Sequence, residues 1–268
     1  MVDDLAAFRA PADAYDAHVG RYGAALASAL LDVAEVPTGA RALDVGCGPG
    51  ALTTALAGRL GAARVAAVDP SEPFVAACRA RVPRADVRTA TAEALPFDDG
   101  TFDAVLSQLV VNFLADPPAG VAEMARVTAP GGGVAACVWD YAGGMTLLRV
   151  FWEAAVALDP EGAGPLDEGA RMPYCSPDGL RVLWQDVGLE DVETGAISVQ
   201  ASYRSLADLW WPLERGVAPS GAYVASLPDP EREALRAEVQ RRLGSGAEPF
   251  ELTARAWYVT GRTADAPR

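Results

Sequence analysis

Three glycines at alternate positions fall in the run Asp44-Val45-Gly46-Cys47-Gly48-Pro49-Gly50, after the apolar stretch 42–45 and before a helical stretch at 52–60. Glycine lets the backbone turn sharply and lets a ligand come close to main-chain atoms. A helix that opens there offers free N–H groups. The run also fits the dinucleotide fingerprint, as Gly46-x-Gly48-x-x-Ala51. A bare strand-to-helix turn uses the same residues, so the loop alone is a weak signal. Asp69 follows Gly50 by 19 residues and ends a second apolar stretch at 65–68. A carboxylate there can accept hydrogen bonds from both hydroxyls of a ribose; its alternative use is to cap the next helix. Loop and acid together point to a nucleoside ligand. They do not separate an adenosine cofactor carrying a methyl sulfonium from a nicotinamide dinucleotide.

Further residues have types suited to chemistry. Asp44 lies two residues before Gly46, where it can orient the loop and face an ammonium group. His18, the only histidine, is spaced i−3 and i+4 from Tyr15 and Tyr22. Histidine titrates near neutral pH and can act as a base; the plainer reading is a partly exposed helix residue. Trp139-Asp140-Tyr141 and Trp210-Trp211 could line a substrate pocket, although aromatics at such spacing are more often core. Trp139, at the carboxyl end of a fifth strand, is the best placed. Cys47, Cys78, Cys137 and Cys175 include no Cys-x-x-Cys pair, and one histidine cannot complete a Cys/His zinc site. They read as buried thiols in a reducing compartment, with no metal.

Composition narrows the function class. The chain of 268 residues carries 22 basic and 36 acidic residues, net −14, which disfavours a nucleic-acid surface. Every basic residue is arginine, the bias of a high-GC bacterial genome. No apolar run reaches the roughly 18 residues of a membrane span. The acidic start Met1-Val2-Asp3-Asp4 lacks the layout of a signal peptide. The reading is a cytoplasmic protein acting on a small molecule, without nucleic acid or membrane, for which a homodimer is a candidate assembly.

The elements around these residues alternate. A helix is expected over 13–36, with Tyr15, Val19, Tyr22, Leu26, Leu30 and Val33 on one face. Strands are expected at 42–45, 65–68, 87–90, 102–109 and 134–139, with helices at 52–60, 71–81 and 117–127 and a turn at 130–133. Strand and helix alternate five times, which implies parallel strands with right-handed crossovers and helices on both faces. Beyond these come a helix at 145–158, a long loop at 159–173, a helix opened by Ser176-Pro177, a strand at 192–201, helices at 206–215 and 230–243, and a strand at 250–260.

The stretches 43–50, 66–69, 92–97, 102–108 and 126–133 together resemble the ordered motifs of the class I methyltransferases, in the methyltransferase type 11 group that includes the ubiquinone-biosynthesis C-methyltransferases. The resemblance is good over residues 15–141 and holds only in outline elsewhere. It implies a Rossmann-like, doubly wound α/β fold: a mostly parallel seven-stranded sheet, its last strand antiparallel, with a small helical cap. It also implies one domain, 1–268, with a cofactor-binding core at 13–141, a cap from the first helix and 205–246, and a mobile tail at 263–268. The implied cofactor is S-adenosylmethionine, leaving as S-adenosylhomocysteine after methyl transfer to a small acceptor, a chemistry that suits secondary metabolism. Gly46, Cys47, Gly48 and Gly50 would hold the methionine portion, with Asp44 beside it. Asp69 and Pro70 would hold the ribose, Ala92 and Glu93 would border the adenine, and Gln108 would lie beside the sulfonium. Tyr15, Tyr22 and Trp139 would meet the substrate. Relatives often carry Asp where this chain has Thr91, and His where it has Asn112, so His18 and Asn112 are the candidate catalytic positions. Two rivals stand beside this reading. A nicotinamide dehydrogenase with a Tyr-x-x-x-Lys pair is ruled out by the lack of lysine. A protein that binds S-adenosylmethionine without methylating, such as a cyclase, is not.

Overall fold

The computed structural model describes residues 12–244 and 249–265. The start at 1–4 and the end of the expected cap at 245–246 lie outside them. Seven strands form one sheet in the order β3-β2-β1-β4-β5-β7-β6. They are β1 Ala42–Val45, β2 Val65–Asp69, β3 Asp86–Thr89, β4 Phe102–Gln108, β5 Thr128–Trp139, β6 Glu190–Tyr203 and β7 Phe250–Arg262. Between them run α1 Ala12–Ala17, α2 Gly23–Val33, α3 Ala51–Leu60, α4 Glu72–Arg81, α5 Pro117–Val127 and α6 Thr146–Leu158. The remaining helices are α7 Pro160–Ala163, α8 Glu168–Arg171, α9 Pro177–Asp186, α10 Leu206–Trp210, α11 Ala218–Ser226 and α12 Asp229–Leu243.

The strands β1 and β2 are buried along their whole length, as strands covered on both faces must be. β1 pairs in parallel with β2 on one side and β4 on the other, and β2–β3 and β4–β5 are parallel too. Chain order therefore reverses at β1, and the carboxyl ends of β1 and β4 flank the switch point where such sheets take ligands. Asp44 sits there, opposite Ala67 of β2 and Leu106 of β4.

The chain divides into two compact units, where a single domain with a cap is expected. The loop unit comprises Gly23–Val138, Pro173–Ile197 and the described residues from Ala256 onward. The second unit comprises the described residues up to Tyr22, Trp139–Met172 and Ser198–Arg255; of the expected cap it holds the stretch from 205 to 244 and the first helix only as far as Tyr22. The loop unit's core joins Leu43, Val68, Val105, Val134 and Trp184. Among the described residues no helix is long and apolar enough to cross a membrane, and no group of His, Cys, Asp or Glu could hold a metal ion.

Several elements differ from the pattern reading. The expected helix over 13–36 is three pieces: α1, a 3-10 turn at Val19–Tyr22, and α2. The His18 N–H donates to the carbonyls of both Ala14 and Tyr15, which marks the switch to tighter winding. A Cβ at Gly20 would meet the Tyr15 carbonyl oxygen at 2.9 Å, so the tight turn needs glycine. The expected turn at 130–133 lies inside β5. The register steps from Phe102↔Thr128 to Ala104↔Gly133, so the glycine run is a bulge that keeps the strand in the sheet. The expected loop at 159–173 holds α7, a 3-10 turn and α8. Asp159 and Asp167 cap them by accepting from the Gly162 and Gly169 N–H groups, a signal hidden among Gly, Pro and acid. The helix expected over 206–215 stops at Trp210 before Pro212, and α11 lies where the pattern marks no helix. The tail expected to be mobile is held at its start: Thr263 Oγ1 donates to the Ala129 carbonyl at 2.6 Å. Residues 266–268 lie outside the described residues.

Trp184 on α9 is fully buried, and its indole N–H donates to the Val134 carbonyl of β5 at 3.2 Å. Trp184→Ala should cost about 3–5 kcal/mol in urea unfolding. Val182, on the same helix and 53% exposed, is the control: Val182→Ala should cost less than about 0.5 kcal/mol.

Candidate functional site

The turn from β1 to α3 is a left-handed glycine staircase, with φ of 76° at Gly46, 51° at Gly48 and 99° at Gly50. The end of β2 holds it. The N–H groups of Gly46 and Cys47 both donate to the Val68 carbonyl, at 2.8 and 2.9 Å. The Gly48 N–H donates to Asp69 Oδ2 at 2.9 Å, and the Ser71 N–H to Asp69 Oδ1 at 2.8 Å. Asp69 thus anchors the loop and ties it to the Ser71 N–H just ahead of α4, without capping that helix, and each oxygen keeps a lone pair. Burial raises its pKa against the pull of those two N–H groups. A Cβ at Gly46 would lie 2.4 Å from Val110 Cγ2, whereas one at Gly48 would meet open space. Gly46 is therefore a packing requirement, and Gly48 leaves room for a ligand. Pro70 beside them is exposed.

Asp44 is fully buried beneath this loop, and the Thr53 hydroxyl of α3 donates to its Oδ2 at 2.6 Å. Its Oδ1 has no partner among the described residues. Desolvation pushes the pKa of Asp44 up to about 8, partly offset by Thr53. At the end of β4, the Gln108 amide donates to the Gly23 carbonyl at 3.2 Å, leaving its buried Oε1 unpartnered. The next residue, Leu109, holds φ of 64°, an uncommon conformation for a residue with a side chain. Ala92 is buried. Glu93 Oε1 accepts from the N–H groups of Ala115 and Asp116, so its carboxylate is engaged ahead of α5. Asn112 is buried in a 3-10 turn, Val111–Phe113. The partners Thr53 and Gly23 carry no local sequence signal and emerge only from the packing of α2 and α3.

The second unit gathers the other candidates. His18 is 1% exposed, not the partly exposed helix residue that spacing allows. Its Nε2 lies 3.5 Å from the buried Ser220 hydroxyl of α11, and Nδ1 has no partner among the described residues. Burial first, and the charge of Arg21 second, hold its pKa down at about 4. The buried Tyr22 hydroxyl pairs with that of Tyr203 at 3.2 Å, and burial raises both phenols. Trp139 packs edge-on against Tyr22, with ring centroids 5.7 Å apart, and its indole N–H is buried and unpartnered. Tyr15 is half-buried. Arg21 stacks over Tyr203 and bridges to Asp208 at 3.1 Å, which holds that face together.

The sequence profile of a family described as a methyltransferase domain matches residues 43–136. An uncharacterized methyltransferase of Mycobacterium tuberculosis is 40% identical over 100 residues, 37% of this chain. The chain spans only 40% of that relative's length. A demethylmenaquinone methyltransferase of Roseiflexus castenholzii is 31% identical over 188 residues, covering 65% of this chain and 78% of the relative. This chain belongs to the class I S-adenosylmethionine-dependent methyltransferases. A phosphoethanolamine N-methyltransferase of Haemonchus contortus, solved with S-adenosylmethionine, shares the fold: TM-score 0.57 at 17% identity, covering 90% of this chain and 53% of that one.

The residues of this methyltransferase fit the cofactor its family uses. Asp44 Oδ1 and Gln108 Oε1 are buried acceptors in want of a donor, and the cofactor's amino acid carries an ammonium group. Gly48 gives the loop an open face, and Asp69 retains acceptor capacity for ribose hydroxyls. Glu93 is held by the N–H groups of Ala115 and Asp116.

The raised pKa of Asp44 has a testable sign. Below about 8 the free protein holds Asp44 protonated, and an ammonium beside it favours the carboxylate, so binding expels the proton. Titration calorimetry with S-adenosylhomocysteine at pH 6.5–7.5 should show release of close to one proton, read from buffers of different ionisation enthalpy. Affinity should rise with pH across this window. Asp44→Asn should bind about tenfold or more weakly and lose the proton release.

Proposed function

We propose that this chain transfers the methyl group of S-adenosylmethionine to a small-molecule acceptor, releasing S-adenosylhomocysteine, and that it works by alignment rather than by a strong base. The observation that carries the reading is the glycine staircase over a buried Asp44 whose second oxygen lacks a donor. The cofactor supplies a methyl group made electrophilic by a sulfonium. Asp44, Gln108, Gly46, Cys47, Gly48, Gly50 and Asp69 would hold it, with Pro70, Ala92 and Glu93 along the nucleoside. The chain's own residues offer little proton chemistry. His18 with a pKa of about 4 is neutral at physiological pH but a weak base. The Asn112 amide orients but takes no proton. Tyr22 and Tyr203 remain phenols. Such a site suits an acceptor that is already nucleophilic, and orientation then supplies the rate. Tyr15, Tyr22 and Trp139 are the residues proposed to meet that acceptor.

A small acceptor agrees with relatives named for quinone methylation. A cytoplasmic setting agrees with four free cysteines. The test is incubation with methyl-labelled donor and a panel of phenols, quinols, amines and carboxylic acids, with mass spectrometry of the products. Labelled product alongside S-adenosylhomocysteine is expected. Tight donor binding with no labelled product across the panel would favour the non-methylating role.

The base question has its own readout. With saturating donor, kcat should be flat between about pH 6 and 9, and His18→Ala should lower it less than about tenfold. A limb near pH 6.5 that vanishes in His18→Ala, together with a loss of ~10²-fold, would restore His18 as a general base.

A further inference from the structure

Thr53 lies in the first turn of α3, and its hydroxyl stands between Asp44 of β1 and Cys78 of α4. All three residues are fully buried in the loop unit. The Cys78 thiol donates to Thr53 Oγ1 at 3.4 Å, and the Thr53 hydroxyl donates to Asp44 Oδ2 at 2.6 Å. Asp44 Oδ1 has no partner among the described residues. A hydroxyl carries a single hydrogen, so this chain of bonds runs one way at a time. The reverse direction would place the Thr53 hydrogen on a thiol sulfur, a weak acceptor, and make Asp44 Oδ2 the donor. The forward direction gives that hydrogen to a carboxyl oxygen, at the short distance of a strong O–H···O bond.

We propose that Thr53 is a positioning residue for the methyl donor: by committing its hydrogen to Oδ2, it confines the exchangeable proton of Asp44 to Oδ1, the oxygen that trades this proton for the cofactor's ammonium group. This rests on the cofactor reading of the loop. In the free protein the neutral acid is then Oδ1–H, with Oδ2 as the carbonyl oxygen that accepts from Thr53. When the ammonium arrives, the Oδ1–H bond breaks and its proton passes to solvent. The ammonium keeps its three hydrogens and donates one of them to Oδ1, now part of a carboxylate. Thr53 holds Oδ2 throughout, so the carboxylate meets the ligand in a fixed orientation.

The same bond decides how hard the proton is to remove. Burial pushes the Asp44 pKa up, and the Thr53 hydroxyl is the chief group that pulls it back, with the Thr53 N–H helping less. The other groups that act on Asp44 are Cys78 of α4 and Asp69 of β2, and both oppose its ionisation. A donor to the carboxylate lowers a pKa, whereas an acceptor for the acid's proton raises it. Removing the hydroxyl must therefore raise the Asp44 pKa if the chain runs forward, and lower it if the chain runs in reverse.

The experiment first titrates the ligand-free protein, isotope-labelled at its aspartate carboxyls, by NMR, with Asp44 assigned by the signal that Asp44→Asn loses. The Asp44 midpoint, about 8 in the wild type, should rise by about one pH unit in Thr53→Val and stay in place in Thr53→Ser, which keeps the hydroxyl. Melting curves check folding, and Thr53→Ala serves if the valine variant does not fold. In a Cys78→Ser background, where a donor to Thr53 remains and the thiol's own titration is gone, the same rise is expected. Binding is then measured for S-adenosylhomocysteine and for methylthioadenosine, a nucleoside thioether without the amino group. At about pH 7, Thr53→Val should bind the first about tenfold more weakly and the second as the wild type does, and Thr53→Ser should restore the first. A midpoint that stays or falls in Thr53→Val would overturn the proposal, as would equal losses for the two ligands, the mark of a merely loosened loop. If the wild type binds neither ligand, the cofactor reading fails and the ammonium with it, while the titration still decides which oxygen of Asp44 holds the proton.

Discussion

The last two residues of β2 hold the turn on which everything else in the loop unit depends. Val68 lends one carbonyl to two successive N–H groups, and Asp69 accepts the next. A loop with three left-handed glycines has high intrinsic freedom, and these bonds remove it. With the turn fixed, α3 starts at Ala51 and places Thr53 over Asp44. A buried carboxylate without that hydroxyl would be far more costly to keep. Close packing then completes the arrangement: Val110 fills the space that a side chain at Gly46 would need, and Cys78 the space at Gly50.

The polar atoms left over in the two units differ in kind. The loop unit leaves oxygen acceptors, Asp44 Oδ1 and Gln108 Oε1. Among the described residues the second unit leaves mainly N–H donors, at Trp139, Trp210 and Arg149. Buried polar groups are nearly always satisfied in a working state. His18 belongs with the second set as a neutral group. Its burial rules out easy protonation, and its proximity to Ser220 fixes one ring nitrogen.

Much of the fold was legible because its signals are local. Continuous apolar stretches mark β1 and β2 as buried strands, and cap-then-proline order marks α9. Glycine at 46, 48 and 50 marks the tight turn between β1 and α3. Local patterns failed where a longer-range contact decided. The glycine run at 131–133 reads as a turn, yet it is a bulge tied to Thr263 at the far end of the chain. The periodic stretch from 13 to 36 reads as one helix, yet it breaks between two compact units.

The sequence by itself determined the architecture, the family and the position of the glycine loop, because strand, turn and helix propensities act between near neighbours. It could not determine what those residues do electrically. The pKa values of Asp44 and His18 depend on how much water is excluded and on which group faces them. Tertiary packing alone brought Ser220 to His18 across 202 residues, Tyr203 to Tyr22 across 181, and Cys78 into one apolar cluster with Cys47. Desolvation and pairing are properties of the folded interior, and no spacing along the chain encodes them.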